Sequence, residues 1–271
     1  MGAQQRAESQ IFGEVAEGYH ASRLGYPDEL ISDILDYAKP AGRPVVEVGA
    51  GTGKATVSFA ARGLGLTCVE PDARMAEVLR RTVAGHPSVR VEVCTFEEWQ
   101  PGGRRFGLLY AATSWHWTDP ERRWDLAHAA LAPGGAIALF WNGTTVVDPA
   151  LHAALAEVDT GGHDLRPPHT VLASELDPED GGERWTEAKG WPQAQCRRDG
   201  RFTDLLSTRH LRPQHYSTAH YLGYLDSISR YRVLPDELRE QVLRRTGEVL
   251  DAHGGGIDMV AVTDAFRARA I

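Results

Sequence analysis

Between about residues 44 and 141 the chain alternates short apolar runs with amphipathic stretches at a steady rhythm. Pro44 to Val48 and Leu66 to Val69 are short and rich in β-branched residues, as buried strands are. Val89 to Val93 alternates apolar with polar, and the runs Phe106–Ala111 and Ala136–Trp141 are almost wholly apolar. Between them, Lys54 to Arg62 reads as a helix stopped by Gly63, and Asp72 caps a second helix running through Val83. Asp119-Pro120 opens a third, which closes near Leu131, ahead of Pro133-Gly134-Gly135. Strand following helix at this spacing predicts an α/β, doubly wound, mostly parallel sheet covered on both faces.

The second half keeps no such rhythm. Residues 143–192 are mixed, and Pro167-Pro168 and Gly181-Gly182 break them into helices and irregular loops. Gln193 to Phe202 is expected as a strand interrupted at Gly200. Tyr216 to Leu234 and Asp236 to His253 are expected as helices, and Ile257 to Phe266 as a last strand. Nothing repeats at a fixed period. The expectation is a single domain over residues 1–271: an α/β core at 31–142, an N-terminal lid at 1–30, and cap helices with the last sheet strands at 143–271.

Composition then narrows the partners. With 42% hydrophobic and 24% charged residues in 271, this is an ordinary soluble globular chain. Its 29 Lys and Arg against 37 Asp and Glu give a net charge of −8, so neither nucleic acid nor an anionic membrane is an expected partner. No run approaches the roughly 20 apolar residues of a membrane-spanning helix. The first residues lack the apolar core of a signal peptide, and Arg6 stands where myristoylation needs Ser or Thr. Cys68, Cys94 and Cys196 form no CxxC pair and read as incidental thiols of a reducing compartment. A cytoplasmic setting is expected; the oligomeric state is open.

One segment carries chemistry. Glu47-Val48-Gly49-Ala50-Gly51-Thr52-Gly53 is a strand turning through three glycines into a helix. Such glycines permit a sharp turn and close approach of a ligand, and the helix start presents free N–H groups to it. A dinucleotide fingerprint needs G-x-G-x-x-G, whose third glycine falls here on Lys54. Glu47 would also repel a diphosphate, whereas it suits a cationic ligand such as a sulfonium with an amino-acid tail. Glu70, closing the second strand, is placed to accept both hydroxyls of a ribose.

These residues resemble the first motifs of the class I S-adenosylmethionine-dependent methyltransferases, which have a Rossmann-like fold. The resemblance continues through Glu70-Pro71-Asp72, Thr95-Phe96-Glu97-Glu98 and Leu131 to Gly135, and covers about residues 10–142. Ala112 to Trp117, with its His116-Trp117 pair, and Tyr19 to Arg23, followed by Gly25-Tyr26-Pro27, are similar to a small-molecule branch of that superfamily. The resemblance implies S-adenosyl-L-methionine as cofactor, S-adenosyl-L-homocysteine as its product, and a small-molecule substrate. It implies that Glu47 holds the cofactor ammonium, directly or through water, that the backbone at Gly49 and Gly51 lines its amino-acid end, and that Gly53 belongs to the same cofactor-binding loop. Glu70 would take the ribose, Pro71 and Met75 one face of the adenine, and Thr95 and Phe96 the other. Tyr19, Arg23, Ala112 and Ser114 would complete the site, with Arg23 pairing the cofactor carboxylate. The pattern departs from members carrying an aspartate at the third strand end, which leaves the adenine amino contact unassigned.

Methyl transfer is an in-line displacement in which the protein supplies orientation, water exclusion and sometimes a base. His116, just beyond the fourth strand, is the candidate base; packing between Trp115 and Trp117 is its structural alternative. Oxygen, nitrogen and carbon acceptors all stay open. Tyr216, Tyr221, Tyr224, His210, His215 and His220 cluster in the cap, as a core stripe or as a substrate selector. Asp159, His163, Asp164 and His169 lack metal-ligand spacing on a helix, so no metal is expected. Two other readings remain: a nicotinamide-dependent oxidoreductase, and a member that binds the cofactor without transferring methyl.

Overall fold

A computed structural model describes residues 24–176 and 190–271 of the chain. Tyr19 and Arg23 lie outside the described residues. The seven described strands form one sheet: β1 (Val45–Val48), β2 (Leu66–Val69), β3 (Val89–Glu92), β4 (Phe106–Ala112), β5 (Leu131–Val146), β6 (Phe202–Ser217) and β7 (Gly256–Ala270). Their order is β3-β2-β1-β4-β5-β7-β6. The first five run parallel, whereas β7 is antiparallel to both β5 and β6. The expected α/β, Rossmann-like architecture is therefore present, with one reversed strand that an all-parallel dinucleotide-binding sheet lacks.

Burial on both faces explains the apolar strands. Val46 and Val48 of β1 join Leu109, Ala111, Ile137 and Leu139 on one face, while Val45 joins Leu108, Tyr110, Ala138 and Phe140 on the other. Glu47 shares that second face, a carboxylate in the middle of an apolar layer. The helices α1 (Asp28–Ala38), α2 (Thr56–Ala60), α3 (Ala73–Thr82) and α4 (Arg123–Ala130) cover the sheet. Asp72 caps α3 as its sequence predicts, accepting from the Arg74 N–H at 2.8 Å and the Met75 N–H at 3.3 Å. Asp72→Ala is expected to cost about 1 kcal/mol, read as a lower midpoint with an unchanged slope in urea unfolding.

The second half departs from the sequence expectation in two places. Residues 193–202 are not a strand: α6 spans Pro192–Asp199, with proline in its first turn and Gly200 left-handed at its end, and the strand begins only at Phe202. Nor does a helix run from Tyr216 to Leu234. Tyr216 closes β6, and Ser217 caps α7 (Thr218–Asp226), which is followed by α8 (Ser229–Arg232) and α9 (Asp236–Ala252). The signals were inverted because Pro192 and Gly200 bracket a polar helix, whereas β6 is an edge strand whose many polar residues hide its period.

The strands β5, β6 and β7 have 16, 16 and 15 residues, against four each in β1, β2 and β3. Their pairing continues from Ala136↔Arg269 out to Val146↔Met259, well past the ends of the short strands. On this overhang sits a separate core, in which Val146 and Met259 pack with Leu151 of α5 (Pro149–Ala156), with Tyr221, Tyr224 and Leu225 of α7, and with Leu250 of α9. The cap is therefore built onto the sheet itself, on the side where the parallel strands end.

Candidate active site

The loop after β1 crosses the C-terminal edge of the sheet, where a reversal of strand order opens a crevice. Gly49, Gly51 and Gly53 all have positive φ, at 68°, 58° and 90°. Two of them have close neighbours. A Cβ on Gly49 would lie 2.5 Å from the Ser114 Cβ, and one on Gly53 would lie 2.7 Å from Leu79 Cδ1 of α3. A Cβ on Gly51 would meet nothing within 4 Å, so the loop presents bare backbone to open space there. Ser114 is held against the loop by donating its hydroxyl to the Val48 carbonyl.

Two buried carboxylates flank this loop. Glu70 accepts the Gly51 N–H at 2.7 Å on one oxygen and the Asp72 N–H at 2.9 Å on the other. It is 5% exposed, and desolvation raises its pKa to about 7 against those two opposing bonds. Glu47 is 1% exposed, and its Oε2 accepts the Thr56 hydroxyl at 2.6 Å and the Tyr110 hydroxyl at 2.8 Å, with the Cys68 thiol at 3.9 Å. Its pKa is also raised to about 7, by desolvation first and then, against its hydrogen bonds, by repulsion from Glu70. Both therefore sit at the threshold of ionisation at neutral pH, where a bound cation favours the charged form.

The partners of Glu47 were not singled out from the sequence. Tyr110 lies directly opposite Glu47 in the β1–β4 register, and Thr56 stands in the first turn of α2. A tyrosine inside an otherwise apolar strand, next to a strand with one acid, is the signal from which the pair could be read.

The remaining expected residues divide. Met75 is buried at the base of α3, Pro71 is exposed after β2, and Thr95 is half-buried with its hydroxyl donating to Glu98 at 3.0 Å. The ends of β2 and β3 are joined by the Glu70 N–H donating to the Glu92 carbonyl at 3.1 Å, so these groups share one edge. Phe96 instead packs into the core, with its ring centroid 6.2 Å from Trp99 and 6.1 Å from Trp115. Ala112 ends β4, and Thr113 follows at φ 56°, its hydroxyl 2.8 Å from that of Tyr26. Asn142 donates to the carbonyls of Leu24 and Gly25, so the described start of the chain is anchored to β5 just past the end of β4.

His116 is exposed on a single turn at Trp115–Trp117, and its Nδ1 accepts the Trp141 indole N–H at 3.4 Å. Desolvation by its neighbours, then the Arg123 guanidinium, lower its pKa to about 4, leaving the ring neutral at pH 7. The cap tyrosines Tyr216, Tyr221 and Tyr224 are buried against one another, Tyr216 stacking on Tyr224 at 5.9 Å. The cap histidines do not converge: His210 faces Asp33, His215 pairs with Asp258, and His220 is exposed. Of the residues weighed for a metal, His169 is buried with its Nδ1 2.6 Å from the Tyr221 hydroxyl, and Asp164 pairs with Arg166. Among the described residues, no three His, Cys, Asp or Glu side chains are grouped to hold a metal ion. None of the described helices is long and apolar enough to cross a membrane.

The sheet order and the glycine loop are similar to those of methyltransferases. Residues 45–135 match the family model described as a methyltransferase domain. An uncharacterized methyltransferase of Mycobacterium bovis is 35% identical over 142 residues, 52% of this chain and 56% of that protein. An uncharacterized methyltransferase of Mycobacterium tuberculosis matches with the same figures. The chain thus spans about half the length of the curated relatives it matches. Among solved structures, a provisionally assigned type II methyltransferase from Anaeromyxobacter dehalogenans shares the fold at TM-score 0.59 and 22% identity, covering 91% of this chain and 97% of that one. The YcgJ protein of Bacillus subtilis does so at TM-score 0.51 and 16% identity, covering 89% and 97%.

Proposed function

We propose that this protein transfers a methyl group from S-adenosylmethionine to a small organic molecule. The observation that carries the reading is the open backbone at Gly51, flanked by Glu70 and underlain by Glu47. An anionic ligand would be repelled by two buried carboxylates beneath its loop, whereas a cation that also carries hydroxyls gains from both. The residues fit the cofactor in shape as well, since Gly51 leaves room where any side chain would intrude. When bound, the cofactor supplies an activated methyl group on a sulfonium.

The chain's own residues then do the rest. Glu70 keeps one N–H donor on each oxygen, leaving acceptor capacity on both for vicinal hydroxyls. Glu47, tied on one oxygen by Thr56 and Tyr110, provides negative charge beneath the amino-acid end. Gly49 and Ser114 fix the loop against β4, while Pro71, Met75 and Thr95 offer a rim for the base. Tyr19 and Arg23 complete the proposed cofactor set, Arg23 toward the cofactor carboxylate. The cap, raised on the overhanging strands, stands beside the edge where the acceptor enters. His116 faces that edge as the candidate polar group for the acceptor.

The test is a calorimetric titration followed by transfer. We expect S-adenosylmethionine and S-adenosylhomocysteine to bind, NAD to give no heat, and label from the methyl-tritiated cofactor to appear in a small-molecule fraction of a metabolite extract. Binding of NAD without S-adenosylmethionine would overturn the reading. Cofactor binding with products that carry no label would replace transfer by a binding or rearrangement role.

A further inference from the structure

Next to the cofactor loop, the same edge of the sheet carries a group of half-buried indoles that the reading above does not use. Trp141 of β5 donates its N–H to His116 Nδ1 at 3.4 Å, and its ring centroid lies 5.4 Å from that of Trp191. The Trp117 centroid is 4.8 Å from that of His116. Trp191, just before α6, is itself fastened: its N–H donates to Ser207 Oγ at 3.1 Å, which donates to Gln193 Oε1 at 3.0 Å, and its ring meets Phe266 edge-on at 6.5 Å. Three elements thus hold one aromatic wall. Its distance from the loop is short along the chain, because His116 follows Ser114 by two residues and Ser114 abuts Gly49.

Charge and donor chemistry limit what such a wall takes. Arg209 and Asp264 stand on the face of the sheet that carries Trp141, and they cancel each other through a bidentate pair at 2.6 and 2.8 Å. The Arg123 guanidinium lies 5.6 Å from the Trp115 ring centroid, bonded to the Trp115 carbonyl and to Gln195. An anion laid on the indoles would lose water without gaining a partner and a cation would meet the charge of the nearby Arg123 guanidinium, whereas an uncharged flat ring stacks on them. An indole N–H only donates, so His116 Nδ1 is the acceptor, and a neutral imidazole then carries its proton on Nε2.

We propose that this wall is the acceptor subsite, that it takes an uncharged planar aromatic ring bearing a hydroxyl, and that His116 holds the reacting oxygen through its Nε2–H, with Trp141 as the positioning residue that fixes the tautomer. This rests on the methyl-transfer reading. The hydroxyl proton leaves to water, and the resulting phenolate accepts the hydrogen bond from His116. The oxygen–carbon bond forms as the carbon–sulfur bond breaks, the sulfur keeps that electron pair, and a methyl ether and a neutral thioether result. His116 therefore acts as a donor to a phenolate and not as the base expected from its place in the sequence.

The test compares 2-naphthol with cyclohexanol on the full chain saturated with S-adenosylhomocysteine for binding and with S-adenosylmethionine for transfer. Naphthol is expected to quench tryptophan fluorescence saturably and to be methylated, and cyclohexanol to do neither. Trp191→Ala should weaken naphthol binding about tenfold, and Trp191→Phe should restore most of it, because stacking is the interaction removed. Trp141→Phe keeps a ring but deletes the N–H. It should leave naphthol affinity within about twofold and lower turnover about tenfold, since one hydrogen-bonded orientation is lost. Long-range proton–nitrogen correlation of the His116 ring should show a single Nε2–H tautomer in the parent and a mixture in Trp141→Phe. Cofactor affinity should stay unchanged throughout. Equal treatment of naphthol and cyclohexanol by a protein that binds the cofactor overturns the subsite. An Nδ1–H tautomer, or full turnover in Trp141→Phe, overturns the role of the pair. Failure to bind S-adenosylmethionine overturns the methyl-transfer reading, and this subsite with it.

Discussion

Glu70→Gln is expected to abolish useful cofactor binding, weakening S-adenosylmethionine by about 100-fold or more. Both oxygens of Glu70 accept backbone N–H groups, from Gly51 and from Asp72. A glutamine has one oxygen and one amide nitrogen, so in either orientation a donor faces a donor. At a position only 5% exposed, the N–H left without an acceptor costs about 1–3 kcal/mol, and the Gly51 loop is the part free to move. The acceptor for a ribose is lost as well. Calorimetry reads the affinity, and amide exchange at Gly51 reads the loop. Binding within threefold of the parent, with Gly51 still protected, would show that Glu70 neither shapes the loop nor meets the ligand. Glu70→Asp separates charge from reach: it keeps two acceptors but is shorter by one methylene, and it should fall between parent and glutamine.

Glu47→Gln should act in the opposite direction on the protein without ligand. The folded-state pKa of Glu47 is raised to about 7, above the 4.5 of a free carboxyl. Between those values the folded state holds a proton that the unfolded state has released, so stability is full below about 4.5 and falls as pH rises to 7. For a carboxyl this buried the loss is about 3 kcal/mol. A glutamine does not ionise and accepts from Thr56 and Tyr110 through its own oxygen, so the variant should lack this loss. Thermal unfolding at pH 5 and pH 8 checks it: the parent is expected to lose stability between the two, and Glu47→Gln to lose less. The ligand reverses the advantage. A cation stabilises the ionised form, so S-adenosylmethionine should bind the parent more tightly at pH 8 than at pH 6, with proton release measurable in buffers of different ionisation enthalpy. In Glu47→Gln that pH dependence should shrink, and affinity at pH 8 should drop about tenfold or more. A variant that is no more stable at pH 8 and binds as the parent does would remove Glu47 from both roles.

The contrast between these neighbours shows where linear reasoning reached. Both were legible as site residues because a strand end and a glycine turn place an acid within a few residues of the ligand. Their difference was not legible. Glu70 accepts backbone N–H groups, from Asp72 beside it and from Gly51 of the neighbouring loop, whereas Glu47 is held by side chains from β4 and α2 that approach it only after the sheet has formed. His116 shows the same limit. Its place after β4 could be read from the order of motifs, but its tautomer depends on Trp141, 25 positions away on the next strand.

By itself the sequence determined the alternation of strand and helix, the glycine turn and its two acids, and the cap on α3, because each depends on residues close together along the chain. The tertiary structure decided which strand runs backwards, how far β5, β6 and β7 extend beyond the sheet, and which aromatic rings meet beside the loop. Those are matters of pairing between distant segments. An edge strand such as β6 satisfies part of its backbone through a single neighbour and leaves many side chains in water, so its own residues do not announce it until β7 lies alongside.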